Sequence, residues 1–151
     1  MEDGYRKIKK KICNLLCQDN FTEAIKEINK LPARKVINPL ISSLCSIDEK
    51  IEHRAAVAIG IITAKLADHD IESARVIMRR LMWSLNDESG GVGWGAPEAM
   101  AEIMVRNKKL ADEYRKILIS YSEPDKNYLE HKGLQRSVQR GLKRLACKNN
   151  T

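Results

Sequence analysis

Two tryptophans, several carboxylates and a set of glycines share one short stretch of the chain, WSLNDESGGVGWGAPEAMAEI, running from Trp83 to Ile103. Both tryptophans and four of the eight glycines fall inside it. Trp83 and Trp94 supply electron-rich ring faces, and Asp87, Glu88 and Glu98 supply negative charge. With the Asn86 amide, these side chains suit an arginine, a lysine or another cationic ligand. Gly90, Gly91, Gly93 and Gly95 permit backbone angles that a Cβ would hinder, so the loop can fold back tightly. Pro97 and Glu98 then suit a helix entry, because proline lacks a donor that the first turn leaves unpaired and a carboxylate favours the positive helix end. Two readings stay open. Either the stretch is a glycine-rich turn pinned by Trp94 against the core, or it walls a groove in which Trp83, Asn86, Asp87, Glu88, Trp94 and Glu98 meet a partner.

Other chemistry is thinly represented. SGGVGWGAP lacks the GxxxxGK[ST] phosphate pattern, and although Gly91, Gly93 and Ala96 imitate a dinucleotide fingerprint, no strand precedes them. Asp87 and Glu88 are chain neighbours that point in different directions, so an acid/base pair with Glu98 depends on how the loop folds. His53, His69 and His131 are scattered, with no HExxH and no Cys/His or Ser/His arrangement. Cys13, Cys17, Cys45 and Cys147 have no CxxC spacing and stand in apolar helical surroundings, which predicts reduced core residues. Cys13 and Cys17 share a helix face, but a metal site needs further ligands that nothing nearby supplies. No catalytic residue, metal or cofactor is expected. Near the end, Lys132, Arg136, Arg140 and Arg144 recur every fourth residue with Lys143 beside them, a basic stripe that could track phosphates or simply be solvated near a helix C-terminus.

The elements that position these groups are read from an internal repeat. Ile51, Ala55, Ala58, Ile59 and Ile62 align without gaps on Val92, Ala96, Ala99, Met100 and Ile103, and these on Leu134, Val138, Gly141, Leu142 and Leu145. Each set follows the i, i+4, i+7, i+8, i+11 spacing of a helix stripe packed on a core. Leu40 and Leu44 align in the same way on Leu81 and Leu85, so each unit is two helices, and a period near 40 residues is that of helix-pair solenoids. Small residues at Ala55, Ala58, Ala96, Ala99 and Gly141 allow close helix approach. Helices are predicted over about 5–17, 21–30, 33–46, 49–66, 71–85, 96–106, 109–120 and 128–147. Asn20 with Glu23 and Ser46 with Glu49 have capping-box spacing, Asp70 is an N-cap, and Pro32, Pro97 and Pro124 suit helix entries.

Composition agrees. The 151 residues, 43% hydrophobic, suffice for a single domain over 1–151, and only seven are aromatic, which favours helix over strand. The formal charge is +7. It is concentrated at the two ends, in Arg6, Lys7, Lys9, Lys10 and Lys11 and in the last helix, a balance compatible with an acidic partner or a nucleic acid. The opening MEDGYRKIKKKICNLLCQ is too polar for a signal peptide, and no apolar run approaches membrane-spanning length. A cytoplasmic protein without a membrane partner is the expectation.

The segment NPLISSLCSIDEKIEHRAAVAIG resembles a HEAT repeat, with a proline and leucines in its first helix, Asp48 at the turn, then alanines and an Ile-Gly pair. Glu52 stands where such repeats commonly carry the arginine that pairs with that aspartate. The NDESGG-x-GWGAPEA stretch resembles the signature of a small family of prokaryotic HEAT-like proteins of unassigned function, whose last helix carries a tryptophan where this chain has LQRSVQRGLKRLA. The resemblance implies an all-α fold, a right-handed α-α superhelix of about four HEAT-like helix pairs. The groove around the segment from Trp83 to Glu98 is read as the recognition surface of a non-enzymatic binding scaffold whose partner is another protein or peptide. The alternative is a nucleic-acid-binding HEAT-like protein akin to DNA glycosylases, with Trp83 and Asp87 four apart and Lys132, Arg136, Arg140, Lys143 and Arg144 on phosphates. Oligomeric state is left open.

Overall fold

The computed structural model describes residues 2–86 and 93–149, and its regular elements are all helical. In chain order these are α1 (Glu2–Cys17), α2 (Phe21–Asn29), α3 (Ala33–Ser43), α4 (Glu49–Ala67), α5 (Ile71–Trp83), α6 (Ala96–Met104), α7 (Lys108–Ser120) and α8 (Lys132–Asn149). A short 3-10 turn, Ser84–Asn86, follows α5. The fold is all-α, and none of the described helices is long and apolar enough to cross a membrane.

Local chemistry accounts for the boundaries. Asn20 accepts from the Glu23 N–H at 3.1 Å, and Asp70 accepts from the Ser73 N–H at 3.1 Å and its hydroxyl at 2.6 Å. Each satisfies a donor that a first helical turn leaves unpaired. Asn107 does the same for α7 through Leu110 N–H. Two boundaries differ from the sequence expectation. Asp48, not Ser46, caps α4 by accepting from Lys50 N–H at 2.9 Å, while Ser46 Oγ accepts from Asp48 N–H. Pro124 opens no helix, because the chain stays irregular until Lys132. There the Gln135 amide donates to the carbonyls of Tyr121 and Leu129, both at 2.7 Å, and holds the connection against α8.

Helices α4, α6 and α8 pack side by side, with α5 against α4 and α6, and α7 against α6 and α8. At the N-terminal end α3 packs on α4 and α1, and α1 on α2. The apolar stripes meet in this packing: of the aligned positions, Ile51 and Leu142 are half-buried against the core and the other described ones are buried. Glycine sets the closest approaches. A Cβ on Gly60 would lie 2.6 Å from Glu102 Cβ and 2.8 Å from its backbone, and one on Gly141 would lie 3.0 Å from Ala101 Cβ and 3.2 Å from the Pro97 carbonyl.

Polar side chains tie the layers together. Arg54 of α4 donates to the carbonyls of Leu16 at 2.9 Å and Gln18 at 2.6 Å, serving the end of α1, while its guanidinium stands 5.0 Å from the Phe21 ring centre. Arg75 of α5 grips Glu113 of α7 through two hydrogen bonds of 3.0 and 2.6 Å. The cysteines depart from expectation. Cys13, Cys17 and Cys147 are exposed and Cys45 is half-buried, because α1 turns Ile12, Leu15 and Leu16 inward and leaves both its thiols outside.

Candidate functional site

Helix α6 is the centre of the molecule. Its neighbours α4, α5, α7 and α8 surround it, and all nine of its residues are buried, Glu98 and Glu102 included. A carboxylate withdrawn from water is costly unless a cation or donors meet it. Both α6 glutamates, one helical turn apart, face the cationic side of α8.

At the C-terminal end of α6, Glu102 accepts from Arg106 Nη1 at 2.7 Å and from Arg144 Nε at 3.2 and 3.4 Å. At the other end, Glu98 Oε2 lies 2.5 Å from His53 Nδ1 of α4. Its backbone N–H donates to the buried Ser137 hydroxyl at 3.0 Å. Ser137 thus supplies, from another helix, the cap that Gly95 has no side chain to provide. Glu98 Oε1 and Arg140 Nε are 3.8 Å apart, too far for a hydrogen bond, and both are buried with no hydrogen-bond partner among the described residues.

Glu52 of α4 completes this end. It is 6% exposed and stands 3.7 Å from Arg140 Nη2, again beyond hydrogen-bonding range. Burial pushes its pKa up, Arg140 pulls it back, and the Glu98 charge pushes it up further. His53 is raised above its ordinary value chiefly by its hydrogen bond to Glu98, against the opposing effect of burial. At the rim Arg136 lies 4.0 Å from Glu49, both well exposed.

Glu49, Glu52, Arg136 and Arg140 line a pocket of about 270 Å³ whose other walls are Ser46, Ile47, Trp94, His131 and Gly133. The Trp94 and His131 rings are 4.4 Å apart and tilted by 52°. His131 Nδ1 accepts from Gly133 N–H at 3.1 Å, which fixes the imidazole beside the indole. Two glycines make room for the walls. A Cβ on Gly133 would lie 3.1 Å from Trp94 Cε3, and one on Gly95 would lie 2.8 Å from Glu52 Cγ and 2.9 Å from Leu44 Cδ2.

An open groove of about 790 Å³ adjoins the pocket, sharing Glu49, Arg136 and Arg140 with it and continuing along Gln135, Gln139 and Lys132 to Tyr128. Tyr128 also borders a depression of about 490 Å³ formed by Trp83, Ile117, Tyr121 and Leu129. Trp83, 79% exposed, and Trp94 are therefore walls of two separate recesses, joined by the groove between them.

The expected recognition residues part company in three dimensions. Trp83 and Trp94 are on the surface just described, whereas Glu98 is 3% exposed beneath it, engaged by His53 and Arg140. Asp87 and Glu88 lie outside the described residues, as does the side chain of Asn86. The basic stripe is divided: Arg140 and Arg144 meet buried glutamates of α4 and α6, whereas Arg136 is exposed beside the exposed Glu49. Lys132 and Lys143 are exposed without an ion pair among the described residues. Glu52, Glu102, His53 and Ser137 enter the site unannounced by any motif. One signal was available: written in repeat register, Glu98 falls on Arg140 and Glu102 on Arg144. No group of three or more potential metal ligands occurs among the described residues.

Comparison with protein-family models, with curated proteins and with solved structures finds no match.

Proposed function

We propose that this chain is a HEAT-like stack of helix pairs, a right-handed superhelix, acting as a non-enzymatic scaffold that binds another protein. Support for the stack comes from contacts between repeat-equivalent positions. Glu102 meets Arg144 at a sequence separation of 42, and Glu98 meets Arg140 at the same separation. Those are the contacts that successive layers of one repeating unit make with each other.

The observation that carries the binding reading is the continuous surface from the Trp83 depression through the Tyr128 groove to the Trp94 pocket. Its length suits an extended segment. Exposed aromatic side chains set on packed helices are the usual anchors of protein interfaces, and a preformed surface avoids an ordering cost on binding. Arg140 and Arg144 fit this role better than phosphate tracking, since each already has a buried carboxylate as counter-charge. The nucleic-acid reading retains the exposed lysines of α1, exposed Arg136, and Lys132 and Lys143, which have no ion pair among the described residues.

The experiment is capture from native lysate, followed by reconstitution with the purified candidate partner. Trp83→Ala and Trp94→Ala each weaken the reconstituted complex at least tenfold, while Lys143→Glu does not. If duplex DNA instead binds with a steep salt dependence that Lys132→Glu and Lys143→Glu flatten, the protein-scaffold reading is wrong.

A further inference from the structure

Resting on that scaffold reading, we infer that the pocket beside Trp94 receives the C-terminal residue of the partner, and that this residue is an arginine or a lysine. Its side-chain cation meets Glu52 and Glu49 across the Trp94 ring. Its terminal carboxylate meets Arg136 and Arg140.

Unused hydrogen-bonding capacity is the first reason. Glu49 with Arg136 at 4.0 Å and Glu52 with Arg140 at 3.7 Å are ion pairs in which the charges are near but no hydrogen bond forms. Glu52 is a carboxylate more than nine-tenths buried, lines the pocket, and has no hydrogen-bond donor among the described residues. A guanidinium or ammonium entering there supplies donors to Glu52 that Arg140, held between Glu52 and Glu98, does not. A carboxylate in turn gives the two arginines an acceptor in the forked geometry they favour.

Charge balance is the second. Glu49, Glu52, Arg136 and Arg140 line the pocket, two of each sign, and Glu98 behind them is hydrogen-bonded to His53. A purely cationic or purely anionic guest would leave one pair of wall charges facing a like charge, whereas a residue bearing both signs a few ångströms apart satisfies both pairs. Trp94 presents an aromatic wall to the cation, held in place by His131 and by the close approach of Gly133.

Size and access are the third. About 270 Å³ is at or below the lower end of sites for drug-sized ligands, roughly 300–1,000 Å³, and suits one residue. The adjoining groove opens into the pocket at Glu49, Arg136 and Arg140, so the preceding residues of a chain have a path along α8 toward Tyr128. That path favours the end of a protein over a free amino acid.

Calorimetry with the full chain tests this. The N-acetylated peptide alanine-alanine-alanine-arginine is titrated as the free acid and as the amide. The all-alanine acid, N-acetylarginine and free arginine complete the set. The free-acid arginine peptide binds tightest, and amidation or replacement of its arginine weakens binding at least tenfold. Glu52→Gln removes the preference for arginine over alanine, and Arg136→Gln removes the preference for acid over amide, with unchanged melting temperatures showing that both variants fold. Equal binding of acid and amide overturns the assignment. So does free arginine binding as tightly as the peptide, which would make the pocket a small-molecule site. If no peptide binds while Trp94→Ala still disrupts the reconstituted complex, the terminal-residue inference falls and the scaffold stands. Should both fail, the scaffold reading falls too.

Discussion

The two ends of α6 are built from the same parts and put together differently. Each has a buried glutamate of α6 facing an arginine of α8. Around Glu102 the charges close into hydrogen bonds with Arg106 and Arg144 at 2.7 to 3.4 Å, and Gly60 presses directly on its backbone. Around Glu98 and Glu52 the arginine contacts remain at 3.7 and 3.8 Å, buried polar atoms go unpaired, and a pocket opens. A satisfied buried ion pair holds helices in register. An unsatisfied one is a cost that calls for a partner beyond the described residues. The Glu102 end is a closed clamp, and the Glu52 end, on the proposed scaffold reading, is where a guest would complete the hydrogen bonds.

Glycine substitutions should break this contrast most forcefully. Gly60→Ala places a methyl group against Glu102 backbone, which has nowhere to move, and should destabilise the chain by about 3 kcal/mol. Gly95→Ala meets side-chain atoms of Glu52 and Leu44 and should cost about 1 kcal/mol, while spoiling the pocket. Denaturant unfolding of both variants measures the difference. Equal costs would mean the two ends are equally rigid.

The glutamates sharpen it next. Glu102→Gln removes the acceptor charge for two arginines and should cost about 2 kcal/mol. Glu52→Gln removes a buried carboxylate that has no donor among the described residues and is crowded by Glu98 and Glu49, so its stability should stay within about 0.5 kcal/mol of the parent or rise. A large loss in Glu52→Gln would make that carboxylate part of the framework and not of a binding site.

The smallest effect is on pH dependence. The pKa values of Glu52 and His53 are both raised in the fold, so at a given pH in their range the folded state holds more protons than the unfolded one, and stability falls as pH rises. The Glu52 part is lost as pH climbs from the ordinary carboxyl value of 4.5 through its raised folded value, and the His53 part from the ordinary 6.5 upward. Melting temperatures across this range should decline gently, and His53→Gln should flatten the upper portion. A rise in stability above pH 6.5 in the parent chain would contradict the His53–Glu98 pairing.

Much of the framework was readable in the order of residues. Apolar spacing located the helices to within a few residues, and Asn20 and Asp70 acted as the caps their types suggest. The same reasoning erred where two local signals competed. Ser46 and Asp48 both suit an N-cap, and the shorter reach to Lys50 N–H favoured Asp48. The cysteines were misplaced because thiols suit core and surface alike, and for Cys13 and Cys17 the rotation of α1 decided between them. The candidate site was legible in part: Trp83 and Trp94 both line surface recesses, but the carboxylates lining the Trp94 pocket are Glu52 and Glu49, with Glu98 buried beneath it.

Periodicity is a local property, because a helix must turn its apolar stripe toward whatever excludes water, so the identity, length and inner face of these helices follow from neighbouring residues alone. Which charges are buried is not local. Glu98 and Glu102 occupy a helix enclosed by four others, and their counter-ions arrive from α4 and α8, tens of residues away. Only packing brings Arg140 close enough to two glutamates to attract both, and leaves it hydrogen-bonded to neither.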